Sequence, residues 1–356
     1  MRAEPSARVV ALADPCDGGG MTRFGYTLMT EQSGPRELVG YAVDAERSGF
    51  DFAVSSDHYS PWLTEQGHAP YAWTVLGAVA QATKRLELMT YVTCPTIRYE
   101  PAVVAQKAAT LQLLSEGRFT LGLGSGENLN EHVVGEGWPM VGVRQDMLEE
   151  AIHIIRELHT GKLVTWQGEY FRVDSARIWD CPDGGVPIGV AVSGEKSFAR
   201  FGPLADHVIA VEPDADLVKG FLDARGAAES SGDAEGARSS SARAIGQIPI
   251  SWDTDAERAK ARAHEQFRWF AGGWSVNADL PTPAGFAGAS QFITPEQVAE
   301  NIPCGPDLDA IVEAVSAYWD AGFTDIALVQ VGDEGQQRFL DEAAGPLLEK
   351  LRSAAP

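Results

Sequence analysis

At 356 residues, 44% of them hydrophobic, the chain is long enough to bury a large core, as one big domain or two ordinary ones. It carries 28 Lys and Arg against 50 Asp and Glu, and the resulting charge of -22 repels phosphate backbones, so general nucleic-acid binding is not expected. Cys16, Cys94, Cys181 and Cys304 lie far apart without a C-x-x-C, which speaks for reduced thiols in the cytoplasm and against zinc or a disulfide framework; no apolar run approaches the ~18 residues of a membrane span.

Residues 1–20 hold one weak apolar patch, too short for a signal peptide, and read as a flexible tail with the fold starting near Met21. Strands and helices then alternate. A strand over 23–29 precedes a helix over 35–48, with Pro35 in its first turn, Leu38, Ala42 and Ala45 on one face, and Gly49 as its stop. A strand over 52–56, a helix over 72–83, a strand over 86–92 and a helix over 101–114 follow, and then a strand over 119–124. A helical pattern returns at 144–160. Residues 162–180 alternate and turn at Gly168, which predicts a hairpin insertion. The rhythm resumes with a strand over 187–192, a helix from Glu195 and a strand over 207–211. Residues 224–242 read as a helix end and an exposed loop. A strand over 245–251 is weakened by Pro249. A helix over 256–270, a long insertion over 271–292, a helix over 307–321, a strand over 325–331 and a closing helix over 336–351 complete the chain.

About eight strands, each followed by a helix, predict an α/β fold: a single (β/α)₈ TIM barrel over 21–356 with insertions near 162–180 and 271–292. A doubly wound sheet is the runner-up. Its phosphate fingerprint fails here, because Gly122-Leu-Gly-Ser-Gly-Glu127 ends on a carboxylate, and no Walker A sequence is present.

A barrel keeps its chemistry at the C-terminal ends of its strands. Those ends read Glu31, then Ser56-Asp57-His58 with Trp62, then Cys94, then Ser125-Gly-Glu127-Asn-Leu-Asn130, then Ala191-Val-Ser193-Gly194. His58 titrates near neutrality and suits proton transfer at a substrate oxygen, with Glu31 and Glu127 tuning it or acting as a second acid. Taken singly, Asp57-His58 also reads as a helix cap and Trp62 as core packing. No His or acidic pair has metal-ligand spacing on one helix, so a non-metal enzyme is expected.

Ser56-Asp57-His58 with Trp62, Tyr91-Val-Thr-Cys-Pro-Thr-Ile-Arg-Tyr-Glu-Pro101 and Gly124-Ser-Gly-Glu127-Asn-Leu-Asn130-Glu together resemble the bacterial luciferase-like superfamily. They look most like its deazaflavin-dependent branch, which contains F420-dependent glucose-6-phosphate dehydrogenase. The resemblance implies a homodimer, a TIM barrel and coenzyme F420. By that analogy Asp57 contacts the cofactor, Ser125, Gly126, Asn130 and the backbone of Ala191, Val192, Ser193 and Gly194 hold the ring and tail, and a cis peptide near Tyr91-Val92 supports the ring. Cys94 stands where the family often has Thr. His58, Trp62, Glu31 and Glu127 face the substrate. The sugar-phosphate branch clamps phosphate with Lys and Arg at positions that fall near Asp214 and Asn301 here, and 271–292 holds no Lys or Arg but Trp274, Phe286 and Phe292. The expected substrate is therefore a neutral alcohol, aldehyde or enone rather than glucose 6-phosphate, with Arg268 the one residue able to restore an anion site. Two rivals remain: an FMN-dependent monooxygenase of the same superfamily, and a non-catalytic binder of deazaflavin or flavin.

Overall fold

The computed structural model describes residues 21–232 and 241–356. The expected tail over 1–20, Cys16 and part of the loop expected over 224–242 lie outside the described residues. In order come β1 (Arg23–Leu28), α1 (Pro35–Ser48), β2 (Phe52–Ser55), α2 (Ala72–Ala82), β3 (Glu87–Thr90), α3 (Pro101–Leu114) and β4 (Phe119–Leu123). The short α4 (Asn128–Glu131) and the long α5 (Val141–Leu158) follow, then a hairpin of β5 (Val164–Gln167) and β6 (Arg172–Ala176). Next are β7 (Ile188–Ala191), α6 (Glu195–Phe201), β8 (His207–Ala210), α7 (Ala215–Ser231), β9 (Ala244–Ile250) and α8 (Ala256–Phe267). Three short helices, α9 (Trp274–Asn277), α10 (Pro283–Ala289) and α11 (Pro295–Ala299), precede α12 (Leu308–Asp320), β10 (Asp325–Gln330), α13 (Gln336–Glu342) and α14 (Ala344–Ala354).

Eight strands close a barrel in the order β1-β10-β9-β8-β7-β4-β3-β2, and every pairing is parallel. This is the (β/α)₈ barrel that the alternation predicts. The alternate side chains of each strand divide two cores. Phe52, Val54, Met89, Ile209, Ile245 and Ala327 fill the barrel, while Phe24, Tyr26 and Leu28 face the helices. Gly25 sits on the inward row, where a Cβ would lie 2.3 Å from the Phe52 ring, so the glycine makes room for the larger side chain.

Pro249 does not weaken β9. The carbonyls of Ala244 and Ile250 accept from Thr324 and Val331 on the β10 side, so the nitrogen of Pro249 faces β8. There the ladder already ends at Gly246, and no bond is lost. The closing helix is split at Ala343, because Pro346 in a helix interior would collide with the carbonyl four residues back and is tolerated in the first turn of α14 instead. The insertion over 271–292 is also more helical than its composition suggests. Thr282 caps α10 at Gly285 N within it, and just beyond it Thr294 and Gln297 form a reciprocal capping box on α11. Among the described residues no helix is long and apolar enough to cross a membrane.

Candidate active site

β1, β2 and β4 bring three predicted side chains together. His58 Nδ1 lies 3.3 Å from Glu31 Oε1 and 3.2 Å from the Ser60 carbonyl, and Nε2 lies 3.4 Å from Glu127 Oε1. Both ring nitrogens thus face oxygen acceptors, and only the doubly protonated ring donates to both sides. Burial by itself would drive the proton off. The charges of Glu31 and Glu127 outweigh it and raise His58 to about 9. Glu31 is 1% exposed and accepts from Thr30 Oγ1 at 3.1 Å and from Ser56 Oγ in a short bond.

An aromatic wall stands against the imidazole. Trp62 tilts over His58 with ring centres 4.7 Å apart, stacks on Trp269 at 4.1 Å and 10°, and meets Phe286 edge-on at 5.1 Å. The insertion contributes to this wall one of the three aromatics expected from it. Phe286 is buried in it, but Trp274 and Phe292 are 47% and 83% exposed. Trp269, which precedes the insertion, takes the place that sequence reasoning gave them. The only signal for it was its position beside a helix end and an aromatic cluster at 267–270.

Asp57 is 2% exposed and serves as a hub. Its carboxylate accepts from Trp73 Nε1 at 3.0 Å, Thr93 Oγ1 at 2.7 Å, Tyr99 OH at 3.0 Å and Arg98 Nη2 at 3.3 Å. Four donors fill the usual capacity of a carboxylate. Thr93, Arg98 and Tyr99 lie within the stretch from Tyr91 to Pro101 but were given no role there, and Trp73 on α2 carried no motif at all. Asn130 turns its Oδ1 to the N–H groups of Tyr59 and Ser60, at 2.8 and 3.3 Å. Its Nδ2 is buried with no hydrogen-bond partner among the described residues.

Tyr91, Val92 and Ala191 are partly exposed and cap the inner barrel core, which gives the mouth an apolar floor. The Tyr91–Val92 peptide is cis, as the resemblance implied. Gly124 lies beside this floor, where a Cβ would come within 2.6 Å of Val92 Cγ2. Ser125 and Gly126 continue that edge. Val192, Ser193 and Gly194 border the mouth from β7, where Ser197 Oγ accepts from the N–H groups of Ser193 and Gly194 at 3.1 and 3.2 Å. Cys94 is 3% exposed, with its sulfur 4.0 Å from Glu127 Oε2, and burial together with Glu127 and Glu131 pushes its thiol well above the usual range. A flat apolar floor, an orphaned amide donor and glycines lining one edge suit a planar heterocycle with polar substituents. Among the described residues no group of three or more His, Cys, Asp or Glu is arranged to hold a metal ion.

The positions considered for a phosphate clamp do other work. Asp214 caps α7 through Asp216 N and Leu217 N. Asn301 Nδ2 donates to the Gln297 carbonyl at 3.1 Å. Arg268 reaches Glu65 Oε1 at 2.8 Å and the Glu265 carbonyl at 2.7 Å.

Over residues 21–325 the chain matches the family described as luciferase-like monooxygenase. A Nakamurella multipartita protein named F420-dependent glucose-6-phosphate dehydrogenase is 37% identical over 341 residues, which span 93% of this chain and 97% of that one. A Nocardia farcinica protein of the same name is 37% identical over 343 residues, spanning 94% and 100%. The solved structure of an F420-dependent secondary alcohol dehydrogenase in complex with an F420-acetone adduct superposes with a TM-score of 0.81 at 28% identity, covering 91% of this chain and 99% of that one. The chain belongs to the luciferase-like monooxygenase family, within its branch of coenzyme F420-dependent oxidoreductases.

Proposed function

We propose that the chain is a coenzyme F420-dependent oxidoreductase acting between a small uncharged alcohol and its carbonyl partner. One observation carries this reading: His58, held between two carboxylates, faces an uncharged aromatic wall at the barrel mouth. When bound, the deazaflavin supplies two-electron hydride chemistry. Tyr91, Val92 and Ala191 would support its ring, with Ser125, Gly126, Asn130, Val192, Ser193 and Gly194 around it. Asp57 and Cys94 act from beneath, Asp57 by ordering the loop that carries His58.

His58 handles the proton. In the oxidative direction its neutral form accepts the hydroxyl proton of an alcohol that loses hydride from the same carbon. In the reductive direction the imidazolium returns that proton to the carbonyl oxygen. Glu31 and Glu127 stabilise the charged ring in both directions. Trp62, Trp269 and Phe286 exclude water and pack against an apolar substituent.

A second reading, oxidation of glucose 6-phosphate, is favoured by the names of the relatives. It requires cations for a dianion, and Arg268 is committed to Glu65 while Asp214 would repel it. A substrate screen that follows coenzyme F420 fluorescence in both directions separates the two. We expect neutral alcohols or their carbonyl partners to change it and glucose 6-phosphate to leave it unchanged. Efficient reduction by glucose 6-phosphate at a micromolar KM selects the second reading, and FMN affinity equal to that for the deazaflavin removes the cofactor assignment.

A further inference from the structure

The mouth contains a buried charge network that the proton chemistry does not use. Arg98 Nη2 donates to the Asp57 carbonyl at 2.6 Å and lies 3.3 Å from Asp57 Oδ1. Its backbone N–H donates to Glu131 Oε2 at 2.8 Å, and its Nε faces Glu131 Oε1 at 3.7 Å. The Arg98 side chain is 7% exposed, and the carboxylates of Asp57 and Glu131 are 0% exposed. On the other side of His58, Asn130 Oδ1 accepts from Tyr59 and Ser60. The backbone is therefore held immediately before and immediately after His58, and both grips lead to neighbouring residues of α4.

We propose that Arg98 and Glu131 are positioning residues that clamp the loop around His58, so that its ring stays between Glu31 and Glu127. The reasoning rests on placement. His58 is reached by charge from two sides, Glu31 at the end of β1 and Glu127 before α4, and the Ser60 carbonyl shares its Nδ1. These distances, 3.3 and 3.4 Å, leave little slack, because a ring displaced by an ångström loses one carboxylate or the other. A loop end ordinarily has that freedom. Here one arginine ties the Asp57 carbonyl to Glu131, and the adjacent Asn130 ties the next two N–H groups to the same helix. Glu131 cannot be replaced by solvent in this role, since it is 0% exposed.

This inference rests on the proposed role of His58, and its test reads His58 directly so that the two fail separately. The titration of His58 is followed by NMR in the cofactor-free chain, alongside kcat and KM with the cofactor, in Arg98→Met, Arg98→Lys and Glu131→Gln. Loss of the cation by itself would raise the His58 midpoint, so only a ring displaced from its carboxylates lowers it. We expect the midpoint to fall in Arg98→Met, kcat to drop at least tenfold with KM changed less than threefold, and Arg98→Lys to recover part of both. Glu131→Gln keeps an acceptor for Arg98 N and should lower kcat less; because losing a carboxylate lowers the midpoint directly, kcat is the readout for this variant. If Arg98→Met does not fold, Arg98→Lys and Glu131→Gln decide. An unchanged His58 midpoint in every folded variant, with kcat within twofold of the parent, overturns the clamp. A shifted midpoint with unchanged kcat in all of them retains the clamp and removes His58 from the chemistry.

Discussion

Two buried histidines sit at opposite ends of the same barrel, and their charge states are opposed. His58 at the C-terminal mouth is 7% exposed, and His207 at the start of β8 is 3% exposed. Burial opposes the protonated form of both. At the mouth Glu31 and Glu127 reverse that effect and raise His58 to about 9. At the other end burial is joined by Arg243, Arg225 and Arg23, and His207 falls to about 3. The surroundings follow two plans. At the N-terminal end, Arg23 and Arg243 each pair with both Glu87 and Asp325, so two cations meet two anions. At the mouth, Glu31, Asp57 and Glu127 meet only Arg98 and the His58 proton, while burial, only partly offset by Arg98, raises Glu131 to about 7. The closed network ties strands together, and the excess of carboxylates keeps a proton on His58 at the barrel mouth. Charge balance at one end and an excess of carboxylates at the other thus set two different electrostatic environments on a single scaffold.

Removing the imbalance should have the largest effect. His58→Ala and Glu127→Gln are each expected to lower turnover by roughly 10²-fold or more while deazaflavin binding survives, as read from kcat beside a fluorescence titration. Near-normal turnover in either variant takes that residue out of the mechanism. The pH dependence comes next. Oxidation should rise roughly tenfold per pH unit until it levels at about 9, and reduction should fall beyond that value, because the two directions need opposite forms of His58. A flat profile from pH 6 to 10 would contradict the role of His58.

The same two groups set a stability window. His58 binds its proton more tightly folded than unfolded, so its contribution is full below about 6.5 and is lost as pH rises through about 9. His207 behaves in the opposite sense, and its share is lost as pH falls from about 6.5 toward about 3. The melting temperature should therefore peak near neutrality, and His58→Gln should flatten the alkaline side only. An alkaline limb identical in that variant and the parent would show that other groups govern it.

Smaller effects test the wall and the base. Trp269→Ala should raise KM for an apolar substrate by roughly tenfold and leave His58 titrating near its original value, since stacking on Trp62 contributes about 0.5–1.5 kcal/mol beyond area burial. An unchanged KM would detach Trp269 from the substrate. Asp325→Asn should destabilise by about 1–2 kcal/mol, below the usual cost of breaking a buried pair because Arg23 and Arg243 keep Glu87. Its kcat should not change, and a loss of activity at full folding would show the two ends to be coupled.

The sequence by itself determined the order of strands and helices and several of their limits. Pro35 and Gly49 bracket α1, and Pro101 opens α3, because local backbone restrictions act without help from the rest of the fold. Gly124, Glu127 and Asp57-His58 were legible as strand-end motifs for the same reason, since a barrel gathers such ends at one mouth. Tertiary structure decided the partners. That Glu31 reaches His58 depends on β1 lying beside β2 in register. That Trp269 stacks on Trp62 while Trp274 and Phe292 face solvent depends on how the insertion returns over the mouth. Arg98, Tyr99 and Trp73 find Asp57 across separate elements, and Pro249 is harmless only because its nitrogen faces an unpaired edge. Backbone punctuation is written in neighbouring residues, whereas charge pairing and stacking are set by chain segments tens to hundreds of positions apart, which only packing brings within reach.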